Sequence, residues 1–172
     1  KINDMIKHTS NLALKITAVW IVIGLIFLNG CATKFESQRK TASVSNQAVR
    51  EEIIAHAMWL IDKDNRFGGQ DPETGFDCSG LVSHVYMTVA GIKLPHNAAM
   101  MAKEGREIDK SQLTLGDLLF FSINRKPYAH VGIYIGKDRF IHAPNRLSKI
   151  KISSLKSGFY QENFQTARSF LN

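Results

Sequence analysis

The apolar residues change their period once along the chain, and that change limits the fold class more than any other feature. From Asn46 to about residue 105 they recur at helical steps: Val49, Ile53, Ile54, Ala57, Leu60 and Ile61 form one stripe, and Cys78, Val82, Val85 and Val89 a second. After Gln112 they fall into alternating or short continuous runs at Leu118–Ser122, His130–Ile135, Arg139–His142, Ile150–Ser153 and Ala167–Phe170, which read as strands. The joins between these runs are too short for crossover helices, so neighbouring strands must run antiparallel. The pattern predicts an α+β domain with N-terminal helices packed on an antiparallel β-sheet. At 172 residues with 44% apolar content, the chain can bury one core of ordinary size.

Local signals bound the elements. Arg66-Phe-Gly-Gly-Gln-Asp-Pro-Glu-Thr-Gly75 is a loop by its Gly and Pro content. The second helix starts at Asp77 or Cys78 and runs to Val89, with Gly91 placed to end it. A short third helix is expected over Asn97–Gly105.

The first thirty residues are of another kind. Lys1, Lys7 and Lys15, against the single acid Asp4, precede the uncharged run Ile16–Leu28, which is the outline of a secretory signal with Met5 as a possible start. The run closes on Leu28-Asn29-Gly30-Cys31, which resembles the bacterial lipoprotein box, where the peptide is cut before a cysteine that then carries lipid. The expected organisation is a signal peptide over 1–30, a lipidated Cys31 with a polar tether over 31–45, and one folded domain over 46–172. A transmembrane anchor competes, because residues 16–33 are 18 uncharged positions, at the lower edge of spanning length. Ala32 resembles the residue that follows the lipidated cysteine in outer-membrane lipoproteins, so the expected location is the periplasmic face of the outer membrane.

The net charge of +7 suits an anionic partner and falls to +5 when residues 1–30, with three Lys and one Asp, are removed. The basic residues are scattered and lack interleaved aromatics, which argues against nucleic-acid binding. The only cysteines, Cys31 and Cys78, cannot form a disulfide scaffold or a four-cysteine zinc site.

The chemistry centres on Asp77-Cys78-Ser79-Gly80. A thiol at a helix N-terminus meets the positive end of the dipole and unpaired amides, which favour thiolate and can receive an oxyanion. It still needs a base. Of six histidines, His8 lies in the signal, His56 is expected to face solvent, His84 to pack or lie on the surface, and His96 to sit in a loop. His130 and His142 lie on adjacent predicted strands, a rigid frame for a base. Register decides whether they meet. An odd loop, Gly136-Lys137-Asp138, pairs Ile135 with Arg139 and Gly132 with His142, and puts both imidazoles on one face. Gly132 would then leave space for the His142 ring. A Cys-His-His zinc site lacks a nearby fourth ligand, and Asp117 is expected to hold a turn before a strand.

As a set, Arg66-Phe-Gly-Gly, Asp77-Cys-Ser-Gly-Leu-Val82, Leu94-Pro95, Leu115-Gly-Asp-Leu-Leu-Phe-Phe121, His130-Val-Gly-Ile-Tyr-Ile-Gly136 and Phe140-Ile-His-Ala143 resemble the NlpC family of bacterial cell-wall peptidases, over about residues 50–170. The resemblance implies a papain-like α+β fold and hydrolysis of stem-peptide or cross-link amides in peptidoglycan through a thioester acyl-enzyme. It implies Cys78 as nucleophile, His130 as base, His142 as the group orienting His130, and Asp77 and Ser79 on the substrate side. Asn65 stands where the family often has a tyrosine, and an amide there can also donate a hydrogen bond toward substrate. His96 and Ala98 stand where the family usually has arginine and serine. No metal or organic cofactor is implied. The expected partners are peptidoglycan stem peptides and, through the lipid, a membrane, with the chain a monomer. Two rivals are a non-catalytic wall-binding lipoprotein of the same fold and a related acyltransferase acting on lipids.

Overall fold

The predicted helical stripe of the first element is the face that the core takes up. Helix α1 covers residues 46–59, and Ile53, Ala57 and Leu60 are fully buried. A computed structural model describes residues 46–144 and 148–171; the expected signal peptide, Cys31 and the tether lie outside the described residues. Among the described residues no helix is long and apolar enough to cross a membrane.

Helix α2 spans Cys78–Ala90. Asp77 is its N-cap, in extended conformation, and accepts the Gly80 N–H at 2.7 Å. Gly91 ends it at φ 66°, donating its N–H to the Met87 and Tyr86 carbonyls, so the predicted glycine stop is the observed one. Leu81, Val82, Val85 and Tyr86 face the core. Helix α3 is only Ala98–Met101, capped by the Asn97 side chain on Met100 N–H. It is shorter than the expected Asn97–Gly105 because Gly105, at φ 73°, turns the chain against Phe170 and into a strand the sequence reading missed.

The Gly-rich loop carries a small hairpin, β1 (Gln70–Asp71) and β2 (Gly75–Phe76). The remaining strands form one antiparallel sheet: β3 (Arg106–Ile108), β4 (Leu118–Ile123), β5 (Lys126–Tyr134), β6 (Arg139–His142), β7 (Lys151–Ser154) and β8 (Phe164–Ser169). Their order is β3-β8-β4-β5-β6-β7. A short helix α4 (Gly158–Asn163) precedes β8. One sheet face (Leu118, Phe120, Val131, Ile133, Ile141) packs on α1 and α2; the other (Leu119, Phe121, Phe140, Ala167) packs with Leu155 and Tyr160. Arg50 ties α1 to the start of β4, donating to Leu115 O at 2.7 Å and to Asp117 Oδ1 at 3.2 Å. Asp117 also accepts the Thr114 N–H at 2.9 Å, the turn-holding role the sequence suggested.

The β5–β6 register is the odd-loop register. Ile133 pairs with Ile141 and Tyr134 with Phe140, and Ile135 N–H bonds Arg139 O. Gly136, Lys137 and Asp138 make the turn, all at positive φ. The role expected of Gly132 needs correction. A Cβ there would lie 2.5 Å from Phe140 Cδ2, so its absence makes room for the Phe140 ring rather than for His142. Phe140 is diagonal to Gly132 on the same face, and its bulk leans across the gap. Its ring stacks on Phe121 at 5.0 Å and stands 4.8 Å from the His142 ring. Gly132→Ala is expected to cost about 1–3 kcal/mol in urea unfolding by overpacking this ring cluster; a variant as stable as wild type would show that the cluster yields freely.

Candidate active site

Cys78 opens α2, and Asp77 holds that end of the helix in place. Asp77 Oδ1 accepts the Gly80 N–H, the Ser79 hydroxyl at 2.9 Å and a bond from His96 Nε2 at 3.0 Å, while Oδ2 accepts the Gly68 N–H at 3.0 Å. Against the upward push of half-burial, these bonds hold its carboxyl below the usual range. The loop and helix meet closely: a Cβ on Gly80 would stand 2.0 Å from Gly69 O, so glycine is required at 80, whereas a Cβ on Gly69 would stand 2.2 Å from Gly75 O within the loop itself.

Strand β5 meets the thiol where β6 has parted from it. The ladder between them runs through Ile133 and Tyr134. Past that ladder, the Val131 N–H acts on the Cys78 thiol, favouring its charged form against burial. Cys78 and His130 line one cavity of about 440 Å³, and Asn65, Asp77, Ser79 and His96 are also in its wall.

His130 and His142 are brought together on the sheet face that the register required. His130 Nε2 lies 2.7 Å from His142 Nδ1, and the rings stand at 78°. His142 Nε2 lies 2.8 Å from Ser153 Oγ and 3.5 Å from Tyr160 Oη. With Nε2 turned to His142, His130 has Nδ1 to offer the thiol. Burial decides the protonation of the whole set. The thiol is pushed up to about 11, although the Val131 N–H and the first-turn amides oppose the shift. Burial holds both imidazoles well below their ordinary range, and the neighbouring His130 and Lys151 add to the effect at His142. The helix N-terminus alone would favour thiolate; desolvation acts the other way and favours thiol and neutral imidazole.

Every site residue singled out in the sequence, apart from Cys31, lies in this cavity or directly behind it. His96 lies in the loop expected of it, and there it forms part of the cavity wall and bonds Asp77. Ser153 and Tyr160 carried no sequence signal; a serine beside Ser154 and a tyrosine in a short helix look like any other. His56 is not simply solvent-facing: it is half-buried, stacked on His84 at 5.5 Å, with Nε2 buried and unpartnered. Among the described residues no group of three His, Cys, Asp or Glu is placed to hold a metal ion.

A helix-borne thiol sharing a cavity with a histidine on an antiparallel sheet, with the helix earlier in the chain, is the papain-like arrangement. The chain belongs to the NlpC/P60 family, whose pattern matches residues 62–169. It is 40% identical to the murein DD-endopeptidase MepH of Escherichia coli (strain K12), over 64% of this chain and 42% of that protein. It is 32% identical to a probable endopeptidase NlpC homolog of Haemophilus influenzae, over 83% of this chain and 72% of that one. The solved NlpC/p60 domain of the peptidoglycan hydrolase SagA is similar in fold, with a TM-score of 0.62 and 34% identity, covering 70% of this chain and 98% of that domain. The chain spans half or less of the length of several curated relatives it matches.

Neutral burial of two histidines has a consequence for stability. Above about pH 6.5 the folded and unfolded chains both hold them neutral; below it the unfolded chain binds protons that the fold refuses. Stability is therefore expected to fall as pH drops from 6.5, by at most about 1.4 kcal/mol per pH unit for each histidine. Urea unfolding at pH 7.5 and pH 5 measures this, and His142→Gln should reduce the slope. Equal slopes in the two proteins would contradict the burial argument.

Proposed function

We propose that the chain is a cysteine endopeptidase of peptidoglycan, cleaving amide bonds of the stem peptide or cross-link, and that it works from a lipid anchor on the envelope. The observation that carries the enzymatic reading is the Cys78 thiol sharing a cavity with His130, whose far nitrogen is bonded to His142. The wall substrate is supported by the relatives' names, murein endopeptidase and peptidoglycan hydrolase. The anchor is supported by Leu28-Asn29-Gly30-Cys31 after an uncharged run; an outer-membrane location rests on Ala32.

The residues suggest the following course. As Cys78 Sγ attacks the scissile carbonyl, His130 Nδ1 takes the thiol proton. Amides at the start of α2 can receive the oxyanion. The resulting imidazolium donates through Nε2 to His142 and returns the other proton to the leaving amine, so the amide C–N bond breaks and a thioester remains. Water, deprotonated by His130, then hydrolyses the thioester and restores the thiol. A neutral histidine behind the base stabilises the imidazolium less than a carboxylate would, but it needs no buried charge. Asp77 has its acceptor sites largely occupied within the fold, so it acts on substrate through the groups it holds, Ser79 and His96.

Cys78→Ala is expected to abolish release of peptide fragments from purified wall while leaving the fold intact, as followed by mass spectrometry on defined muropeptides. His130→Ala should lose about 10²–10⁴-fold, and His142→Gln less, because an amide oxygen still accepts from His130 Nε2. Undiminished release by Cys78→Ala would end the enzymatic reading; binding of muropeptides without cleavage by the wild-type chain would favour the non-catalytic wall-binding lipoprotein.

A further inference from the structure

The histidine pair does not end at His142. Strand β7 lies beside β6 with Phe140 opposite Ser153 and His142 opposite Lys151, so Ser153 reaches His142 diagonally across the ladder. Its Oγ stands 2.8 Å from His142 Nε2. Tyr160 Oη stands 3.5 Å from the same nitrogen, and its phenol is pushed up by burial with the nearby Ser153 hydroxyl opposing that push. Tyr160 packs edge-on against the His142 ring at 5.2 Å. His142 itself is fully buried.

The bond between the two rings can run in either direction. Two neutral imidazoles joined nitrogen to nitrogen can hold their shared proton on either ring, and only one choice leaves the base usable. If His142 carries its proton on Nε2, its Nδ1 accepts from His130 Nε2–H, and His130 Nδ1 is bare toward the thiol. If His142 carries its proton on Nδ1, it must donate to His130 Nε2. His130 then holds its proton on Nδ1, facing Cys78, and has no lone pair there. The flipped form is worse still during reaction, because the imidazolium Nε2–H would meet the His142 Nδ1–H.

We propose that Ser153, held by Tyr160, is the positioning residue that fixes the tautomer of His142 and so makes His130 Nδ1 the base. The Ser153 hydroxyl donates to the Tyr160 oxygen and accepts the His142 Nε2–H. This leaves Nδ1 of His142 as the acceptor for His130. No proton passes to Ser153 or Tyr160 at any stage: the proton leaving the thiol stops on His130. The other groups facing His142 are His130 and Lys151, and Lys151, as a cation, opposes protonation of the ring without selecting a tautomer. Ser153 does not touch the thiol; it acts through two rings. The inference rests on the roles proposed for Cys78 and His130 but not on the wall substrate.

The test uses the described protein without substrate as well as with it. ¹⁵N-histidine NMR of the wild type at pH 7.5 should show His142 as the Nε2–H tautomer. Ser153→Ala should populate the Nδ1–H form, slow alkylation of Cys78 by iodoacetamide and lower kcat on muropeptides, each by about tenfold, the worth of one hydrogen bond, with KM little changed. Ser153→Thr, which keeps the hydroxyl, should restore all three to within about twofold of wild type, so that loss through faulty folding is told apart. A wild-type His142 protonated on Nδ1 would overturn the proposal. So would a folded Ser153→Ala chain with unchanged tautomer and alkylation rate. Alkylation that responds to Ser153 in a chain that releases no wall fragment would support the relay while retiring the peptidoglycan reading.

Discussion

The pairing of β5 with β6 is the constraint on which the site depends. Side chains alternate across a sheet, so a slip of one residue would send His130 and His142 to opposite faces. The three-residue turn at Gly136, Lys137 and Asp138, all at positive φ, holds the register that keeps them together. The same register sets Phe140 beside Gly132 and brings β7 alongside with Ser153 within reach of His142. It also lets β6 part from β5 beyond Ile133, where the Val131 N–H acts on the Cys78 thiol.

Burial then sets the electrical state of the site. The thiol, packed on the core shared by the helices and the sheet, and the two imidazoles, beside Phe121, Phe140 and Tyr160, lose more by desolvation of their charged forms than nearby amides return. The consequence is a row of neutral groups whose order is kept by hydrogen-bond direction. Such a row is sensitive to where each proton sits, because among the described residues a serine hydroxyl, not a carboxylate, stands at His142 Nε2.

Asp77 is the second organising group. Its two oxygens gather donors from the Gly-rich loop, the first turn of α2 and the His96 loop. The nucleophile therefore starts from a helix end whose position is set from three sides. The close approach of Gly69 and Gly80 lets the loop lie directly on that helix end.

The sequence alone determined the helices α1 and α2 before the main strands, the antiparallel sheet, the glycine stop of α2 and the thiol with its two histidines. The odd β5–β6 loop followed only from requiring those histidines to share a face, and the β1–β2 hairpin, β3 and α4 were not legible. The legible features rest on local period, turn chemistry and chain connectivity, which neighbouring residues encode. Tertiary structure decided the rest. Ser153 lies on a later strand and Tyr160 on a short helix, and only the folding of β7 and α4 against the sheet brings them to His142. His96 meets Asp77 because the loop after α2 folds back over that helix's start. The resting protonation of Cys78 likewise escaped the sequence, since the helix end that favours thiolate is local, whereas the desolvation that opposes it comes from residues scattered along the whole domain.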